Sequence, residues 1–285
     1  SILYYGGGMY NNSSSPAMIN CTFENNTAVG DAGGMYNYAS SNPTLTNCTF
    51  ANNTAGYGGG MRNNDSNPTL TDCTFAGNAA GNRGGGMEND TGSSPSLTNC
   101  IFTGNAAAIG GGGMHNDASS PTLTNCTFEN NTAYYDGGGM FCSNNSSPAL
   151  SNCIFINNTA NDDAGGMYNE SSNPALSNCS FIANAATGNT TGNGWGGGMF
   201  NDLSSSPVIL SCTFNGNTAQ FDGGGMYNNY SSSPTLTNCT FENNTADGGN
   251  GGGMYSRHNS NPTLTDTAVC GNTTDQLVGT WIDNG

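Results

Sequence analysis

The chain has no lysine and only three arginines, Arg62, Arg83 and Arg257, against 19 acidic residues, for a formal charge of −16. Nucleic acid and anionic membranes are excluded as partners, because binding either depends on basic side chains. No stretch approaches the roughly 20 apolar residues that cross a bilayer as a helix, so no membrane insertion is expected of this segment. Histidine is nearly missing as well. His115 and His258 stand far apart in the sequence and are expected to face solvent rather than catalyse. With charged residues at 8% and 44 glycines, composition alone points to disorder. Leu, Met, Cys and Phe nevertheless recur at fixed positions, and regular apolar positions mean a core. Ser1 runs straight into the first repeat with no secretory leader before it, so the chain reads as a mature product or a piece of a longer protein. Its lysine-free, Asn/Thr-rich makeup points to an extracellular or cell-surface location.

What is present is a repeat. Gly-Gly-Met occurs ten times, with Met at 9, 35, 61, 87, 114, 140, 167, 199, 226 and 254. Proline marks the same period from Pro16 to Pro262, and most intervals are 26 or 27 residues. The step from Met167 to Met199 is longer and carries an insertion around Ala186 to Trp195. Gly, Asn, Thr and Pro interrupt every candidate helix. Short β-segments separated by turns fit instead. One coil per repeat, each pairing in parallel with the next, gives an all-β fold: a right-handed parallel β-helix of about ten coils in a single domain spanning 1–285. Repeats occupy about residues 6–272, and 273–285 is a candidate C-terminal cap containing Leu277, Val278, Trp281 and Ile282. At roughly 4.8 Å per coil the rod is about 48 Å long.

Each column has its own reading. Leu two residues after Pro, Cys five after and Phe seven after point inward with Met. The odd spacing from Leu to Cys implies a corner between them. Asn three residues after Phe (or after Val269) recurs in every coil: Asn26, Asn53, Asn78, Asn105, Asn131, Asn158, Asn184, Asn217, Asn244 and Asn272. Such a column reads as a stacked amide ladder. A second ladder follows Met by two, from Asn11 to Asn228. Two residues after Phe the choice is mostly Asn or Gly, which a left-handed backbone position demands.

The Gly-Gly-x-aliphatic and Phe-x-x-Asn pairing resembles the repeats of chlamydial polymorphic outer-membrane proteins and related bacterial right-handed β-helix surface proteins. That resemblance covers roughly residues 6 to 272 and implies an adhesin-like or other surface role. Gly-Met stands here where those repeats usually carry Ala-Ile or Ala-Leu, and a membrane-barrel domain is not expected to follow.

Several features carry candidate chemistry. Nine cysteines form one column and read as buried free thiols, whereas Cys142 and Cys270 lie off it and are expected to be the more reactive pair. Asp136, Asp163 and Asp222, with Asp31 and Asp247, precede the Gly run on what should be one edge. Stacked carboxylates there are candidates to share Ca²⁺, although solubilising loop charge explains them as well. No other cofactor is expected. A polysaccharide lyase or hydrolase needs converging acids and a base. Asp162-Asp163 is the best acidic pair, and no coil concentrates Asp, His and Arg, so an enzyme is not expected. The residue after Met reads as an outward stripe rich in aromatics, Tyr10, Tyr36, Phe141, Tyr168, Phe200, Tyr227 and Tyr255, suited to glycans or a neighbouring rod. Thr-x-Thr pairs such as Thr44/Thr46, Thr69/Thr71 and Thr122/Thr124 resemble the ice-binding face of β-solenoid antifreeze proteins. Asn25, Asn52, Asn130, Asn157 and Asn243 each open an Asn-Asn-Thr sequon and are candidate glycosylation sites. The function expected from these columns is a non-enzymatic extracellular structural or surface solenoid. Its expected assembly is end-to-end stacking into fibres, and its expected contacts are glycans or its own kind.

Overall fold

The computed structural model describes residues 3–188 and 193–284. A representative coil runs through four short strands, Met61–Asn64, Thr69–Thr71, Thr74–Ala76 and Ala79–Ala80, each paired in parallel with the equivalent strand of the coils on either side. Stacked coils form parallel sheets of 11, 11, 10 and 8 strands, and Leu3–Tyr5 adds a two-stranded pairing with Ala28–Asp31. No helix occurs among the described residues. Register is strict. Met pairs with Met, Leu with Leu and Phe with Phe from coil to coil, because a one-residue slip would turn the apolar set outward.

The core is a set of files along the rod. From Phe23 to Phe241 the rings stack 4.5–4.8 Å apart and within 6° of parallel, which measures the rise per coil directly. Leu, Cys and Met files fill the rest of the interior, and Cys48 through Cys239 are buried free thiols. The insertion expected around Ala186 to Trp195 falls partly on residues 189–192, outside the described residues.

Polar groups inside this core are satisfied by stacking. In the first ladder, from Asn53 to Asn244, each Asn Nδ2 donates both to the Oδ1 of the next rung and to the Phe carbonyl of the previous coil, at 2.9 Å for Asn131. Gln276 Oε1 closes it by accepting from Asn272 Nδ2. The second ladder runs from Asn11 to Asn116 with 2.8 Å links. At the next rung stands Cys142, whose Sγ receives Asn116 Nδ2 at 3.7 Å. Having no amide to donate, it leaves the buried Asn169 Oδ1 without a partner. Cys142 is therefore not a reactive off-column thiol. It is fully buried, and burial pushes its thiol up to about 12. Cys270 is exposed. A third ladder, not anticipated from the sequence, is the buried serine file two residues before each Pro from Pro43 onward, in which Ser41 N donates to Ser66 Oγ and Ser66 N to Ser93 Oγ.

Corners fall at the positions expected from the column spacing. Asn47, Asn99 and Asn125 between the Leu and Cys files, and Asn52 and Asn130 after Phe, have φ between 50° and 55°. Asn reaches this left-handed region more readily than other non-glycine residues. The Gly run serves coil stacking. Gly58 has φ +60°, and a Cβ on Gly60 would sit 2.6 Å from the Gly86 carbonyl and 2.9 Å from Phe75 Cδ1. In the C-terminal segment, Leu277–Val278 and Ile282–Asp283 pair with the last full coil, and Leu277 packs on the core while Trp281 and Ile282 stay exposed.

Candidate functional site

The residue after each core Met does point away from the main core, as alternation requires. Beyond Tyr10 it is buried or half-buried. Around Phe141 the segment before the Gly run folds back over this file, and a Cβ on Gly110 would clash with Phe141 Cδ1. Tyr36, Phe141, Tyr168, Phe200 and Tyr227 are buried, Tyr255 is half-buried, and of the expected outward stripe only Tyr10 is exposed. Phe141, Tyr168, Phe200 and Tyr227 instead form a second apolar core with Ala164 and Trp195, in edge-to-face contacts of 4.7–5.0 Å from Phe141 through Tyr227.

Charged residues of this file are buried with it. His115 does not face solvent. It is fully buried, with Nδ1 3.1 Å from the Glu88 carboxylate and Nε2 3.4 Å from Ser143 Oγ. Carboxylate, imidazole and hydroxyl stand in the order of a nucleophile triad. Glu88 is 3%, His115 0% and Ser143 4% exposed, so the three are packed as a polar plug rather than presented to a substrate. His258, by contrast, is exposed and stacks on Tyr230. Three of the aspartates expected as loop charge or a Ca²⁺ edge accept hydrogen bonds from backbone amides. Asp163 Oδ1 accepts from Gly194 N and Trp195 N, Asp136 Oδ1 from Asp163 N, and Asp222 Oδ1 from Asn250 N. Asp162 and Asp163 are buried, not solvated. Burial, reinforced by the Asp163 charge, pushes the Asp136 carboxyl up to about 8, and burial pushes Asp163 up to about 7. No group of three or more His, Cys, Asp or Glu side chains gathers for a metal ion among the described residues.

At its first coils the file opens. Tyr5, Tyr10, Tyr36, Tyr38 and Asp31 line a cleft of about 260 Å³. Tyr10 stacks on Tyr36 at 5.4 Å and on Tyr5 at 6.2 Å, while Tyr5, Tyr10 and Tyr38 are all exposed. Arg62 stands behind Asp31. It pairs with Asp31 and with Asp90 (2.8 Å), and its guanidinium lies 4.9 Å from the Tyr57 ring. Burial pushes the Tyr36 hydroxyl up to about 12 against the pull of Arg62, so this wall is neutral. Tyr5, Tyr38 and Tyr57 were missed in the sequence. Tyr38 carried a signal, because other coils place Asn, Asp, Ser, Glu or Arg three residues after Met.

Two outer features complete the surface. Threonine pairs lie in register, Thr44 beside Thr69 and Thr46 beside Thr71, until Ala149, Ala175, Val208 and Leu210 replace them and line a shallow apolar groove. Asn25, Asn52, Asn130, Asn157 and Asn243 sit exposed at corners.

Three overlapping stretches, residues 3–81, 63–189 and 164–285, match the family described as the right handed beta helix region. The chain belongs to that family. The match is to the general β-helix, with nothing in it particular to the chlamydial repeats, and the family contains both polysaccharide-cleaving enzymes and proteins without activity. No curated protein and no solved structure matches this β-helix.

Proposed function

We propose that this β-helix is a non-enzymatic extracellular or cell-surface solenoid that contacts glycans, with the tyrosine cleft at its first coils as the contact site. The observation that carries the reading is the grouping of Tyr5, Tyr10 and Tyr38, exposed, around Asp31. Tyrosine faces stack on the C–H face of a sugar ring, their hydroxyls and a carboxylate bond its hydroxyl groups, and such aromatic anchors in a concave site dominate recognition. A rigid rod with internally satisfied ladders holds the cleft in place. Catalysis is not part of the proposal, because Glu88, His115, Ser143 and Asp163 are buried.

Glycan-array screening followed by calorimetry on the best ligand tests this. Tyr10→Ala and Tyr38→Ala should each weaken binding about tenfold or more, at roughly 1.4 kcal/mol per decade, with circular dichroism unchanged. An array without binders, or binding indifferent to both variants, overturns the reading. Electron microscopy of the same preparation tests end-to-end stacking into fibres.

Ice binding is a second reading, favoured by the in-register threonine pairs at the coil rise. Thermal hysteresis that vanishes in Thr69→Tyr would select it over the glycan site.

A further inference from the structure

The core packing includes an uninterrupted file of nine thiols that glycan contact does not use: Cys21, Cys48, Cys73, Cys100, Cys126, Cys153, Cys179, Cys212 and Cys239. All are oriented alike. Each donates to the carbonyl two residues earlier, at 3.3–3.5 Å, as Cys21 does to Ile19, Cys73 to Thr71 and Cys239 to Thr237. Side chains in one orientation on coils in register repeat at the coil rise, which the neighbouring Phe file fixes at 4.5–4.8 Å. At that spacing sulfurs are far outside the bonding distance of about 2.05 Å in a disulfide, and parallel Cβ vectors keep them there.

The same spacing suits a different bond. Two metal–thiolate bonds of about 2.3 Å laid end to end span about 4.6 Å. A file offers any ion two collinear sulfurs and no third ligand. Zn²⁺, which takes four ligands in a tetrahedron, is thereby disfavoured, and soft thiolate-seeking ions content with two are selected. Charge sharpens the choice. Leu, Met and Phe surround the thiols and exclude water, so an added unit must be close to neutral. Hydrogen bonds between neighbouring thiols lower Cys73, Cys126 and Cys179 and raise Cys100, Cys153 and Cys212, and burial raises Cys48 and Cys239, so adjacent sulfurs differ in how readily they give up a proton. A monovalent ion satisfies both conditions: two thiols bind M⁺ as thiolate–M–thiol, one S–H bond breaks, one proton leaves and no electron moves. Carbonyl oxygens of Leu45, Leu70 and Leu97 lie beside the file, 3.7–3.8 Å from the sulfurs of Cys73, Cys100 and Cys126.

We propose that the cysteine file is a binding site for soft monovalent ions of the Cu(I) and Ag(I) class, each held linearly between thiols of adjacent coils. A sulfur bound to ions on both sides would need a nearly straight angle, which sulfur avoids, so ions occupy alternate gaps. Nine thiols then hold about four ions.

The full chain carrying Cys142→Asn and Cys270→Ser, which leaves only the file, is refolded under reducing, oxygen-free conditions with Ag(I) and gel-filtered. The expected result is about four silver ions per chain, about one proton released per ion, and an X-ray absorption signature of two sulfurs near 2.4 Å. Adding Cys73→Ala, Cys126→Ala and Cys179→Ala leaves only the pairs Cys21–Cys48 and Cys212–Cys239, and the count should fall to about two. A folded nine-thiol chain that retains no silver, a count near six in the triple variant (one per surviving thiol), or three to four sulfurs per ion overturns the proposal. Should the triple variant fail to fold, coordination number and proton count in the nine-thiol chain decide alone. Glycan binding is measured separately, and its outcome does not bear on this result.

Discussion

Asn131→Ala removes one rung from the middle of the first ladder. The lost side chain donates to the Phe102 carbonyl and to Asn158 Oδ1, and accepts from the backbone N–H and the Nδ2 of Asn105. Two of these partners have another bond to fall back on. Asn158 Oδ1 still receives the Asn131 backbone N–H, and Asn105 Nδ2 still reaches the Phe75 carbonyl. Phe102 C=O and Asn105 N–H lose the only side-chain amide that serves them in a fully buried site. At about 1–3 kcal/mol for each orphaned buried group, the variant should cost about 2–6 kcal/mol. Coils interact only with their neighbours, so the loss weakens one interface rather than the whole rod. Urea unfolding followed by far-UV circular dichroism measures the total. Hydrogen exchange should place the new opening at Asn105 and the coils beside it. The control is Asn130→Gly, one residue earlier at an exposed corner with φ 54°, which should change stability by only a few tenths of a kcal/mol. A loss below about 0.5 kcal/mol for Asn131→Ala, or a loss equal to that of Asn130→Gly, would refute the claim that the ladder holds the coils together.

Other residues give equally direct tests. Cys142→Asn restores the missing rung, lets Nδ2 donate to the orphaned Asn169 Oδ1, and should stabilise by about 1–3 kcal/mol in the same unfolding assay. Asp136 is an acid whose folded value, about 8, lies above its ordinary 3.8, so the unfolded chain ionises first and stability declines as pH rises from about 4 to about 8. Asp136→Asn should therefore raise the melting temperature at pH 9 and leave it nearly unchanged at pH 4, with a gain of about 1–3 kcal/mol after allowance for partial exposure. An equal effect at both pH values would show that Asp136 is not held protonated.

The sequence by itself determined the architecture. An apolar column that repeats every 26 or 27 residues can be buried only if each repeat closes one turn, and an invariant Asn beside it can be satisfied only by another Asn above and below. Corners were legible for the same reason, since Asn and Gly alternate where φ is positive. Even Cys142 was readable, because it stands two residues after Met140, on the very rung where the Asn column skips. Tertiary structure alone decided what becomes of the file after Met. Alternation says which side of a strand a residue leaves from, but a separate segment of the same coil decides whether water waits there, and that wall turned six of the seven expected surface aromatics into core or partial core. Stacking also brought Glu88, His115 and Ser143, on three different coils, within hydrogen-bonding range, and left the tyrosine cleft open only where the covering wall stops. Periodicity fixes which residues share a file, whereas exposure depends on what the rest of the chain lays over that file.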